Sequence, residues 1–219
     1  MTRPHLQPAL SVNRLAELSW MDLAAWFRRD PRLLLPVGSC IQHGAHLPLG
    51  TDSLITGRLA LDVCSRTGIL LAPLLPFGVA SAADLAYAGT SGLERKTLHR
   101  VLNELVQAWE RQGLTEVTLL TTNGTTRNIQ ALAMVMGDKV RVRSIDTRAI
   151  DVSHIVDLDP PASHAGIYET SLMLHVAPQL VRDGAGDEGL PRGSTAEKGR
   201  KLYEYLVDSI VGRLATPDG

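Results

Sequence analysis

The feature that most constrains this chain is a set of short apolar runs that stop at a glycine or a turn. RLLLPVG (residues 32–38) and EVTLLTTNG (116–124) are of this kind, and ILLAPLLPFG (69–78) is a third, broken by prolines. A run with no polar alternation is the pattern of a strand covered on both faces. A fourth strand, KVRVRSID (139–146), follows later. Helical patterns separate these runs, over 21–29, 52–68, 93–113 and about 128–136. In the clearest of them, Leu98, Val101, Leu102, Leu105, Val106 and Trp109 share one face, and Gly113 supplies the stop. Two more helices are expected, over 169–181 and after a capping box formed by Ser194 and Glu197. Strands alternating with helices give an α/β domain with a mostly parallel sheet. Ligands bind such sheets beyond the carboxyl ends of the strands, so GSCIQHGAH and TTNGTTRN are the segments to inspect.

Composition narrows the classes of function. The 219 residues suit one sizeable domain (19–219) behind a polar, proline-containing arm (1–18). A net charge of −1 and an aromatic content of 4% argue against a nucleic-acid partner, which calls for basic patches and stacking surfaces. Two cysteines, Cys40 and Cys64, do not form a disulfide framework. No signal peptide and no membrane span is expected, and the expected location is the cytoplasm.

The candidate chemistry lies in two stretches. GSCIQHGAHLPLGTD (38–52) brings His43, His46 and Asp52 into one turn-rich segment. Imidazole and carboxylate are ligands for a hydrolytic metal, which lowers the pKa of bound water to about 7. The same histidines also suit a plain loop that holds backbone groups. SHAGIYETS (163–171) offers His164 as a general acid/base and Glu169 at a helix start. There a carboxylate is also favoured by the helix dipole alone. His5, His99, His154 and His175 are read as structural.

At this point the residues resemble a known family. LLPVGSCIQHGAHLPLGTDSLI resembles the first signature of the creatininase (creatinine amidohydrolase) family, approximately LPVGSTEQHGPHLPLGTDT. VTLLTTNGTTRNIQAL resembles its strand followed by NGHGGN, SHAGIYETSLML its HAGxxETS segment, and STAEKGRKLYEYLVDSI its last helix. The resemblance implies a three-layer α/β/α sandwich, usually in homo-hexamers. It also implies a one- or two-metal site (zinc, manganese or iron) that hydrolyses C–N bonds of small molecules or, in the mycofactocin-associated branch, of a peptide. Carried over residue by residue, His43, Asp52 and Glu169 match metal ligands, and His164 and Glu169 match catalytic positions.

The departures from the family are grouped. Ile41 stands where the family has a ligating glutamate, and Thr125 where it has a ligating histidine. FGVASAADLAYAGT keeps only Asp84 of an acidic-plus-histidine pair, and the glycine-rich stretch before the last helix is short. Two readings follow. One is an amidohydrolase with a single divalent metal on His43, Asp52 and Glu169, and with Asn123, Thr125 and Arg127 at the substrate. The other is a metal-free relative, reused as a scaffold, for a biosynthetic step or as a partner subunit. In it, Arg127 pairs with a substrate carboxylate or phosphate, and Cys40 is a nucleophile or a bystander, strand alternation pointing it away from His43.

Overall fold

The structure is a computed structural model that describes residues 12–156, 164–184 and 189–215. Four parallel strands form its sheet among those residues, in the order β2-β1-β3-β4. They are β1 (Arg32–Pro36), β2 (Leu70–Leu71), β3 (Glu116–Thr121) and β4 (Arg141–Asp146). β1 and β3 pair from Arg32 opposite Glu116 to Pro36 opposite Leu120. They are the apolar runs read from the sequence, and they lie at the centre because neither face presents polar groups to water. β2 is short: Pro73 and Pro76 lack the N–H that a longer ladder would need.

Among the described residues six α-helices cover the sheet: α1 (Trp20–Arg29), α2 (Thr51–Thr67), α3 (Arg95–Glu110), α4 (Thr126–Ala133), α5 (Ile167–Val176) and α6 (Ala196–Ala215). Alternate residues of each strand point to opposite faces, and the core divides accordingly. Leu34, Leu120 and Ile145 face α2, α5 and α6 and meet Ile55, Leu172 and Leu206. Leu33, Leu35, Val117 and Leu119 face α1, α3 and α4 and meet Phe27, Leu102 and Leu132. This is the expected three-layer α/β/α sandwich. Each of those buried side chains contributes about 1.5–3 kcal/mol relative to exposure.

One detail corrects the sequence reading. Ser194 does not cap α6. The N–H of Lys198 bonds to Thr195 Oγ1 at 3.1 Å, and Glu197 turns to Arg200 at 3.0 Å, so no capping box forms. Part of the arm is tied to the sheet. The Leu71 N–H bonds to the Asn13 carbonyl at 3.0 Å, and Arg14 bridges Leu71 in parallel, which lays residues 13–14 along the outer edge of β2. Residues 1–11 of the arm, Ser163 and residues 185–188 of the glycine-rich stretch lie outside the described residues.

Candidate active site

Strand order 2-1-3-4 sends the chain to one side after β1 and to the other before β3, which leaves a crevice between their carboxyl ends. Four segments converge there. The loop after β1 brings His43, α2 brings Asp52 in its first turn, the turn after β3 brings Asn123 and Thr125, and α5 brings Glu169 in its first turn. A fifth contribution comes from the end of β4, where Arg148 sits in a 3-10 turn, Thr147–Ala149. Asp52, Thr122, Asn123, Gly124, Thr125, Arg148, His164 and Glu169 line one cleft of about 190 Å³. A roomier hollow of about 580 Å³, bounded by Leu54, Leu61 and Leu74, lies elsewhere and has none of these groups.

Asp52 and His43 form the floor. Asp52 is buried and accepts the Ser39 hydroxyl at 2.6 Å, while its other oxygen lies 3.4 Å from His43 Nε2. His43 Nδ1 lies 3.0 Å from the Ile41 carbonyl, which can only accept, so Nδ1 carries a hydrogen. Burial opposes charge on His43, but the hydrogen bond and charge of Asp52 outweigh it and raise the His43 pKa. Burial also works against the Asp52 charge, and His43 and Ser39 overcome it, so its carboxyl titrates below the usual range. His46, the second histidine of the loop, is a strut: its Nε2 lies 2.9 Å from Thr170 Oγ1, and burial lowers its pKa.

Glu169 is 4% exposed and pairs through Oε1 with the Arg148 guanidinium, while Oε2 is buried with no hydrogen-bond partner among the described residues. Burial raises its pKa although Arg148 pulls the other way. His164 is exposed, its ring centroid 4.3 Å from that of His43. Its Nε2 meets the Gln42 carbonyl, so Nε2 bears the hydrogen and Nδ1 is left as the basic nitrogen. Gln42 is itself clamped, with Nε2 on Asp84 at 3.2 Å, Oε1 accepting the Gly44 N–H at 2.9 Å and its own N–H on Thr90 Oγ1 at 2.9 Å. Ala165, beside His164, has φ 60, a left-handed conformation that is costly for a residue with a Cβ. Such strain concentrates at functional sites.

The sequence-derived candidates are therefore largely assembled: Asp52, Asn123, Thr125, His164 and Glu169 share the cleft, with His43 beneath it. Arg127 is not among them. Helix α4 turns Asn128, Ala131 and Leu132 inward and leaves Arg127 exposed. The arginine of the cleft is Arg148, which the sequence reading missed. Applying the strand-end rule to β4 as well as to β1 and β3 reaches it. Cys40 pairs across to Ser91 and lies outside the cleft lining, as expected.

His43 is oriented as a ligating histidine would be, with Nδ1 on a backbone carbonyl. The rest of the set does not follow. Among the described residues, no three His, Cys, Asp or Glu side chains are arranged to hold an ion. Ile41 is apolar and 1% exposed, and Glu169 already has a cation. As they stand, with Arg148 on Glu169 and no donor at Ile41, the side chains do not fit the expected metal, although among the described residues His43 Nε2 and Glu169 Oε2 are buried without a hydrogen-bond partner.

An open parallel sheet clothed by helices, with a charged cleft across its switch point, defines an α/β protein with its site at the strand ends. Comparison with known proteins makes this specific. The creatininase (creatinine amidohydrolase) family profile matches residues 16–189, and the chain belongs to that family. Among relatives, the mycofactocin precursor peptide peptidase of Mycobacterium ulcerans is 31% identical over 86% of this chain and 88% of its own. The creatinine amidohydrolase of Pseudomonas putida is 28% identical, over 76% and 73% respectively. A crystal structure of creatinine amidohydrolase superposes with a TM-score of 0.79 at 21% identity, covering 93% of this chain and 97% of that one. Other solved creatininases include a manganese form and a zinc–zinc form.

Proposed function

We propose that this chain hydrolyses the C–N bond of an amide, most readily within a peptide, in the cleft between Asp52, Arg148, His164 and Glu169. The observation that carries this reading is that His164, its Nδ1 left basic by the Nε2 bond to the Gln42 carbonyl, lines one cleft with the Arg148–Glu169 pair. The family and its peptidase and amidohydrolase relatives supply the reaction class. A volume of about 190 Å³ suits a small amide or the end of a peptide.

In this reading His164 Nδ1 accepts a proton from water as its oxygen attacks the amide carbonyl carbon. The guanidinium of Arg148 donates to the carbonyl oxygen as negative charge develops there. The proton held by His164 then passes to the leaving nitrogen, the C–N bond breaks, and an acid and an amine result. Asp52 and His43 hold the floor in place, and Gln42 fixes the His164 ring.

Assay against short peptides, formamides and cyclic amides, with mass-spectrometric detection of the freed amine, tests it. Turnover is expected, and His164→Asn should lower it by about 10²–10⁴-fold. Equal turnover by that variant would remove His164 from the reaction.

A second reading, a scaffold or partner subunit without turnover, is favoured by one observation: Ile41 fills a family ligand position with a fully packed apolar side chain. Silence across the whole amide panel, together with a stable complex with another protein, is its signature.

A further inference from the structure

Arg148 occupies a socket built from several directions. Its backbone N–H bonds to Asp146 Oδ1 at 2.9 Å, which tightens the turn after β4 and aims the side chain inward. Its aliphatic stem lies against Gly124, where a Cβ would come within 2.8 Å of Cγ. Its guanidinium stands 5.1 Å from the centroid of the buried Tyr168 ring and pairs with Glu169, with the side chain of Arg148 17% exposed and that of Glu169 5%. Stem, ring and carboxylate thus hold one permanently charged group in place.

That group stands against the carboxylate which the family resemblance makes a metal ligand. The other such carboxylate, Asp52, is also engaged: one oxygen takes the Ser39 hydroxyl at 2.6 Å and the other faces His43 at 3.4 Å. A divalent ion entering here would have to displace a guanidinium from a buried partner. It would gain no donor from Ile41 and only a weak hydroxyl from Thr125. An ion pair of this kind, once buried, is costly to break from one side.

We propose that Arg148 is the built-in cation of the cleft, seated on Gly124 and Tyr168 and paired with Glu169, and that it excludes a divalent ion from His43, Asp52 and Glu169. The inference goes beyond the hydrolase reading and stands or falls without any substrate. Solved relatives include manganese and zinc–zinc forms, whereas here the cation is written into the chain, so the cleft keeps it in the presence of a chelator.

The test is a metal count. The untagged protein is purified without chelator, equilibrated with excess zinc chloride or manganese chloride, desalted and analysed by plasma mass spectrometry. The wild type is expected to retain no stoichiometric metal. Arg148→Gln, which removes the charge, should rise several-fold towards about one ion per chain, and Arg148→Lys should not. One ion per wild-type chain, lost on Glu169→Gln, overturns the proposal even if no Arg148 variant folds. A folded Arg148→Gln that stays empty also overturns it, because Arg148 is then not what keeps the ion out. Circular dichroism establishes folding, and a wild-type melting temperature unmoved by chelator is the second expected result.

Discussion

Arg148 and Glu169 set the residue-scale behaviour of this cleft. Removing one partner strands the other in a poorly solvated place, whereas replacing both with apolar groups strands neither. Arg148→Met alone is therefore expected to destabilise by about 3 kcal/mol, and the double variant Arg148→Met/Glu169→Leu by clearly less. Urea denaturation of the two singles and the double would read this, and simple additivity would contradict a coupled pair. Asp84 gives the pH-dependent counterpart. Burial favours its neutral form, but hydrogen bonds from Ser81 and Gln42 dominate, so its folded pKa lies below the ordinary 3.8. A depressed carboxylate stabilises the fold above the unfolded value and loses that contribution as pH falls through the folded one. The melting-temperature gap between wild type and Asp84→Asn should hold above pH 3.8 and close below it. A gap that ignores pH would show that Asp84 acts through shape alone. Much of this was legible beforehand, because His43, Asp52, His164 and Glu169 lie in turn-rich segments at strand ends or helix starts. Arg148 was not, because nothing in RSIDTRAI marks one arginine as turned inward; that depends on Gly124 and Tyr168, 24 and 20 residues away in sequence.

At the scale of elements, α5 and α6 cross so closely that Gly199 is required by space. A Cβ at position 199 would lie 1.7 Å from the Ser171 carbonyl oxygen, a backbone atom that cannot swing aside. Gly199→Ala should lower stability by about 1–3 kcal/mol through forced separation of the helices. Because α5 carries Glu169, it should also disturb the Arg148 pair. A gain in stability from the higher helix propensity of alanine would mean that the helices part freely. Element type was readable where one physical rule dominated: β1 and β3 from unbroken apolarity, α3 from its periodic face, α2 from Gly68, which closes it with φ 73. Boundaries were less so. The cap of α6 fell to Thr195 although only Ser194 has a glutamate three residues on: Glu197 is drawn to Arg200, and the Lys198 N–H takes the Thr195 hydroxyl.

The whole molecule has two faces of buried apolar core and several exposed apolar side chains. Trp20 and Met21 at the start of α1 are 79% and 64% exposed, and Met136 is 73% exposed. Apolar groups of this size left in water mark contact surfaces when they gather. A homo-oligomer is the expected assembly, hexameric by the family resemblance. Light scattering after gel filtration should give a multiple of 23.7 kDa. A monomer would place the partners of those side chains elsewhere. Among the described residues no helix is long and apolar enough to cross a membrane.

The strip of chain at Asn13 and Arg14 has a meaning for how copies of this protein avoid one another. A parallel sheet ends in two rims of unsatisfied peptide groups, each a template on which a stray strand can grow. Here the β2 rim is occupied by the protein's own residues 13 and 14, and the β4 rim carries the exposed Arg141, a residue type that makes an edge harder to stack on. The few residues just ahead of the first helix thus act as a selvedge. Without residues 13 and 14 the rim of β2 would be open to fibre-like growth.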